Sequence, residues 1–224
     1  MRAPGPAHPL VLAYHSVAPR MQERLVPSMI TLTTELAAHV SALREVGRRI
    51  LTAGQLAEEL GHGGSGADVA VLTFDDGWAD ALTVAAPLLA SLDVQATFFL
   101  CPGLFGNPER SMSFAGRMLR RDEAAALHAA GMELAAHSMT HPDLTAIDDR
   151  ALAHELSQSK LEVEALTSTP CRTVAYPFGR QDARVQAAAA DAGFALAFTY
   201  QDGPWHAYAA PRLPVPAPGV PLRW

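Results

Sequence analysis

Two adjacent carboxylates, Asp75 and Asp76, follow the apolar run Val69–Phe74 and precede Gly77. Like charges at the end of an apolar strand repel each other and resist desolvation, so they call for a cation or a shared proton. A lone aspartate there would read as the N-cap of a helix beginning near Trp78, and that alternative stands for one of the two. A second pair, His137 and His141, closes another apolar run with three residues between the imidazoles. This spacing puts both rings on one side of a helical turn or tight loop, within reach of a single ion. The chain has nine histidines, so a chance surface pair is the competing explanation. Together, one carboxylate and two imidazoles form an incomplete ligand set that leaves positions for water, which marks a catalytic rather than a structural metal centre.

Bringing these groups together is a task for the elements around them. Short runs rich in β-branched and aromatic residues recur at 10–17, 69–74, 96–101, 132–136, 173–176 and 196–200. Each reads as a strand, with segments of helical periodicity expected at 33–46, 78–92, 121–130, 148–166 and 181–192. Gly131 and Gly193 sit where a helix end favours positive φ. Strand followed by helix, repeated, predicts parallel strands with helices outside, as an open doubly wound sheet or an α/β barrel. Five strand candidates end in polar or turn-forming residues: His15, Asp75 with Asp76, His137, Pro177 with Phe178, and Gln201 with Asp202. A barrel gathers the C-terminal ends of distant strands on one face, so a barrel is the expected architecture. The Gly-rich stretch 61–66 lacks the ending of a phosphate loop, and the Pro-rich tail 211–221 is expected to be an extended surface segment.

With 224 residues and 49% hydrophobic side chains, the chain fits one domain, residues 1–224, able to bury a real core. A net charge of −6 without a Lys/Arg cluster offers nothing to nucleic acid or to an anionic membrane. Neither a signal-peptide core nor a membrane-spanning run is visible, so the chain reads as soluble and cytoplasmic unless a leader is missing from it. Cys101 and Cys171 are expected to be buried thiols, being too few for a disulfide scaffold.

Thr73-Phe74-Asp75-Asp76-Gly77, then His137-Ser138-Met139-Thr140-His141, then Ala175-Tyr176-Pro177-Phe178-Gly179 resembles the polysaccharide deacetylase family, carbohydrate esterase family 4, with its NodB homology domain. Val26-Pro27, Ala96-Thr97-Phe98-Phe99 and Ala130-Gly131-Met132-Glu133-Leu134 resemble its flanking segments. The resemblance implies a distorted (β/α)7 barrel. It implies Asp75 as general base, Asp76, His137 and His141 as ligands of a divalent ion, and the Phe178 N–H as oxyanion donor. The ion expected is Zn2+, with Ni2+, Co2+, Fe2+ and Mn2+ as alternatives. The chain departs from the family twice. Thr173, Val174 and Ala175 stand where many members carry an arginine, and the C-terminal stretch 211–215 lacks the usual acid histidine. A subset of the family rearranges these groups, and similarity to it implies His15 as the acid and Arg212 as the cation that orients Asp75. The competing readings are a capped core histidine and a solvated tail residue.

The implied reaction is removal of an acetyl group from an N-acetylated amino sugar or its polymer. The rivals are the same chemistry on an O-acetyl, N-formyl or non-sugar amide compound, and a catalytically silent, metal-containing sugar-binding domain. Trp78 and Trp205 are candidates to stack on a sugar ring, with burial in the core as their alternative, and Tyr176 and Pro177 of the third motif are further substrate candidates. His39, His128 and His154 fall in expected helices and are read as facing solvent; His8, His62 and His206 have no evident partner.

Overall fold

The computed structural model describes residues 8–21, 27–107 and 116–223; Val26 of the flanking segment lies outside these. The strands are β1 (Leu10–Tyr14), β2 (Ser16–Ala18), β3 (Ile30–Leu32), β4 (Arg49–Leu51), β5 (Val69–Phe74), β6 (Thr97–Leu100), β7 (Glu133–Ala136), β8 (Thr173–Ala175), β9 (Leu196–Thr199), β10 (Ala210–Pro211) and β11 (Leu213–Pro214). The helices are α1 (Thr33–Glu45), α2 (Ala53–Gly61), α3 (Ala86–Ser91), α4 (Arg121–Ala129), α5 (Asp149–Thr167) and α6 (Ala183–Asp191). The main sheet runs β10-β9-β8-β7-β6-β5-β1-β11, with every pairing parallel. Strand β4 pairs with the first half of β5. Strands such as β5 are buried along their whole length, as expected when helices cover one face and the barrel interior the other. Among the described residues the result is a nearly closed barrel of eight strands with six helices, a (β/α)7-type fold.

Its main core is an apolar cluster running from Leu10 to Ala210, and Trp78, Cys101, Leu104 and Met118 form a second, smaller one. Tyr14, Phe74 and Phe98 stack across adjacent strands, with ring centroids 4.9 and 4.7 Å apart. No helix among the described residues is long and apolar enough to cross a membrane. Cys101 and Cys171 are buried thiols, and burial pushes the Cys171 thiol up to about 12.

Three expectations need correction. The run 10–17 is two strands, because the chain leaves the barrel at His15 and β2 pairs with β3 in a separate two-stranded sheet. The expected helix at 78–92 starts late. Trp78 forms a bridge with Met118, residues Ala81–Ala85 form a π turn, and only Ala86–Ser91 is α-helical. Pro87 has no N–H to give Thr83, and the wider turn lies just ahead of it. The Pro-rich tail is not simply a surface segment. Residues 210–214 lie in the seam between the sheet's two ends: β10 pairs with β9 and β11 with β1, and Arg212 alone separates them. Arg212 N donates to Thr199 O at 2.9 Å and Val215 N to Ala13 O at 3.0 Å, stitching the seam on both sides. Prolines are tolerated there because each of these strands pairs along one edge only.

Candidate active site

The barrel topology brings the C-terminal ends of β1, β5, β7, β8 and β9 to one face. At the end of β5, Asp75 N still donates to Tyr14 O at 3.0 Å, extending the β1–β5 ladder by one residue. Asp76 then adopts φ +74 and Gly77 φ +88. Successive side chains of a strand point to opposite faces, whereas this left-handed turn brings both carboxylates to the same place. His137 Nε2 lies 3.8 Å from Asp75 Oδ2 and 3.6 Å from Asp76 Oδ1.

His137 follows β7 directly, and its N–H donates to Leu100 O at 2.8 Å. Its Nδ1 is 2.7 Å from Ala175 O. A carbonyl only accepts, so Nδ1 carries the proton and Nε2 offers a lone pair to the site. Burial holds the imidazole pKa down, to about 4, despite the nearby Asp75, which keeps the ring neutral as a ligand must be. His141 Nε2 is 3.3 Å from Asp76 Oδ1, and the two imidazole rings meet edge to face at 4.9 Å. The potential donor atoms of Asp76, His137 and His141 all lie within 4.8 Å of one another. Burial alone would raise the Asp76 pKa; its contacts with His141 and His137 outweigh that and bring it down to about 2. One oxygen and two nitrogens, convergent and largely buried, form a donor set that fits a divalent cation.

Asp75, 1% exposed, has different partners. Arg212 Nη1 donates to Oδ1 and Nη2 to Oδ2, both at 2.7 Å, in a bidentate pair whose two side chains are fully buried. Tyr200 adds a third donor, its hydroxyl lying 2.7 Å from Oδ2, while the Arg212 guanidinium sits 4.5 Å above the Tyr200 ring. Burial pushes the Tyr200 hydroxyl far above its ordinary range, so it stays protonated as a donor. Burial would also raise the Asp75 carboxyl, but the Arg212 charge, helped by His137, holds it well below the usual carboxylate range. His15, half-buried, leaves β1 beside Asp75. Behind it, Asp80 accepts from Ser16 Oγ at 2.8 Å and from Val17 N at 2.6 Å, and burial pushes the Asp80 carboxyl up to about 6.

The third motif forms a 3-10 turn, Pro177–Gly179, with Phe178 at φ +60. Gly179 N donates to Tyr176 O and Arg180 N to Pro177 O; the Phe178 N–H takes part in neither bond. Asp76, Ser138, His141 and Phe178 make up four of the six non-glycine residues with positive φ among those described. Strained backbone of this kind costs on the order of 1–3 kcal/mol per residue, and its concentration on three motifs is characteristic of a working site.

The substrate-facing residues expected from the sequence fare worse. Trp78 is 2% exposed and presents no face to a sugar; its Nε1 donates to Asp76 Oδ2 at 3.2 Å instead. Tyr176 is wholly buried, with its hydroxyl on Tyr208 O at 3.1 Å, and Pro177 is buried beside it. Trp205 stacks on His8, ahead of the first residue of β1, and so lies at the barrel's other end. The exposed aromatic ring beside the histidines is that of Phe178, 55% exposed and edge-on to His141 at 4.6 Å. His39 is half-buried, paired with the Tyr14 hydroxyl, and not solvent-facing as expected. Tyr200 and Asp80 were not anticipated. Tyr200 ends an expected strand, as the recognised groups do, but a lone tyrosine carries no spacing signal.

The polysaccharide deacetylase family model matches residues 62–197, which include the aspartate pair, the histidine pair and the Pro177 turn. YxkH of Bacillus subtilis (strain 168), whose name places it among polysaccharide deacetylases, is 25% identical over 199 residues. That match covers 88% of this chain and 66% of YxkH. Among solved structures, the deacetylase PplD of Streptococcus pyogenes superposes with a TM-score of 0.79 at 23% identity, covering 92% of each chain. IcaB of Ammonifex degensii superposes at 0.75 and 22% identity over 93% of this chain and 92% of its own, and at these identities both structures speak for the fold. With the barrel, the three motifs in order and a family match over more than half its length, the chain belongs to the polysaccharide deacetylase family.

Proposed function

We propose that the protein is a metal-dependent deacetylase that hydrolyses the acetamide of an N-acetylated amino-sugar unit in a polysaccharide or oligosaccharide. The observation that carries this reading is a division of labour between adjacent carboxylates: Asp76 faces two imidazoles, while Asp75 faces a guanidinium and a phenol. Asp76, His137 and His141 would hold the cation, which when bound supplies charge that acidifies water and polarises the acyl oxygen. Zn2+ is the first choice for two nitrogens and one oxygen, with Ni2+, Co2+, Fe2+ and Mn2+ as alternatives.

The remaining steps belong to side chains and backbone. Asp75 has four lone-pair positions, of which Arg212 takes two and Tyr200 one. The acceptor capacity that remains on the carboxylate takes the proton of the attacking water. The Phe178 N–H donates to the oxyanion as the acyl carbon becomes tetrahedral. His15 delivers a proton to the departing nitrogen, which leaves poorly as an anion. Arg212 supplies the cation missing from the stretch Thr173 to Ala175, arriving from the seam between β10 and β11. The exposed Phe178 ring is a better candidate than either tryptophan to contact the sugar.

The test is acetate release from a panel of N-acetylated and O-acetylated saccharides, with zinc, cobalt or nickel added. Release that disappears in Asp75→Asn and after chelation is the expected result. No acetate at any metal loading would leave a binding module instead.

A further inference from the structure

The loop between the two histidines is held by a side chain to which the proposed reaction gives no part. Glu155, on the second turn of α5, is 8% exposed. Its Oε2 accepts from Met139 N at 2.8 Å and Thr140 N at 2.9 Å, and its Oε1 from Thr140 Oγ1 at 2.6 Å. From the other side, Gly103 N donates to Met139 O at 2.9 Å and the Cys101 thiol to His137 O at 3.2 Å. Within the loop, His141 N donates to Ser138 Oγ at 3.0 Å. Ser138 and His141 both hold left-handed φ, at +63 and +61. Such a loop relaxes unless its surroundings over-determine it. Two consecutive amides converging on one carboxylate form the strongest of these restraints, since hydrogen bonds to a charged acceptor exceed neutral ones.

The position of Glu155 in its helix points the same way. The buried side of α5 reads Leu152, Glu155, Leu156, Ser159, Val163 and Thr167, with Glu155 its one ionisable member. An apolar residue at 155 would extend that stripe without the desolvation cost of a carboxylate.

We propose that Glu155 is a positioning residue for the metal centre: by clamping Met139 and Thr140 it sets His141 against His137 and Asp76, and so raises affinity for a divalent cation. This inference rests on the metal reading of the site. The probe is zinc itself, titrated against a chromogenic chelator into metal-stripped full-length protein, with the urea midpoint of the stripped protein measured in parallel. Glu155→Leu is expected to bind zinc about 10- to 100-fold more weakly, the usual effect of losing a group that orients a ligand. Glu155→Gln keeps an oxygen for both amides without its charge and falls between wild type and Glu155→Leu, as does Thr140→Val, which loses only the hydroxyl bond. A merely structural glutamate would lower the urea midpoint and leave the zinc affinity of the folded protein unchanged, and that result overturns the inference. If Glu155→Leu fails to fold by circular dichroism, Thr140→Val decides: weaker zinc binding than wild type supports the clamp, and equal binding overturns it. A wild type that binds no zinc removes the metal reading and the clamp together, whereas equal binding by wild type and Glu155→Leu removes the clamp alone.

Discussion

Replacing Arg212 with methionine deletes both guanidinium bonds to Asp75 and leaves a carboxylate without its cation inside the barrel. Breaking a buried pair from one side costs about 3–5 kcal/mol, most of it the charge left behind. For a domain of this size each kcal/mol moves the melting temperature by roughly 2–4 °C, so a fall on the order of 10 °C near neutral pH is expected. The pH dependence gives a sharper test. In the native protein Asp75 has a depressed pKa, so its pairing contributes stability above the unfolded carboxylate pKa, lost as pH falls through the folded value. In the variant the arginine's influence is gone and burial, the largest single effect on Asp75, pushes the carboxyl upward. The folded variant then binds a proton more readily than the unfolded chain, and its deficit against wild type shrinks as pH is lowered. Urea unfolding at a series of pH values reads this directly, and the acid limb of acetate release should move upward in parallel. A deficit that stays constant across pH, or an unchanged melting temperature, would refute the assignment of Arg212 as partner of Asp75.

His15→Ala is expected to reduce release from an amide by about 10²- to 10⁴-fold and to affect an ester far less, because an alkoxide leaves with less help; equal losses on both would remove the acid role. Tyr200→Phe takes away one hydrogen bond to a charged acceptor, worth about 1.5–3 kcal/mol of stability, so the melting temperature should fall by roughly 3–12 °C, and an unchanged one counts against the three-donor clamp. Chelation should lower the melting temperature and abolish turnover, with both restored by added zinc, since a cation that binds only the folded chain stabilises it. Trp78→Phe keeps the buried ring but loses the bond to Asp76 Oδ2; it should weaken zinc retention several-fold, where loss of acetylated-saccharide binding with zinc retention intact would return the tryptophan to the substrate.

Reactive groups at strand ends were legible because apolar periodicity stops there and charge begins. Asp75, Asp76, His137 and His141 announce themselves by type and spacing, and the parallel barrel follows from five such endings. Burial was harder to read. Trp78 and Tyr176 follow motif residues and looked available to a sugar, yet tertiary packing turns both inward. Phe178, taken only for its backbone, is turned outward by its left-handed φ. The prolines of the tail argued for the surface, although a strand paired along one edge accommodates them, so the location of Arg212 was invisible even where its role was anticipated. Glu155 left a detectable trace, an acid on the buried stripe of α5, which only an accounting of that helix's buried face would have caught. Strands β3 and β4, at three residues each, are too short for periodicity to register.

The seam at residues 210–214 has a consequence for the order in which activity is acquired. Leu12 and Ala13 pair with Leu213 and Pro214 across about two hundred intervening residues, and joining such distant segments carries the largest loop-entropy cost in the chain. The proposed cation ligands, by contrast, follow β5 and β7, whose neighbours are closer in sequence. A refolding molecule is therefore expected to capture zinc before Arg212 reaches Asp75, passing through a loaded but inert form, and stopped-flow mixing would reveal metal uptake running ahead of acetate release.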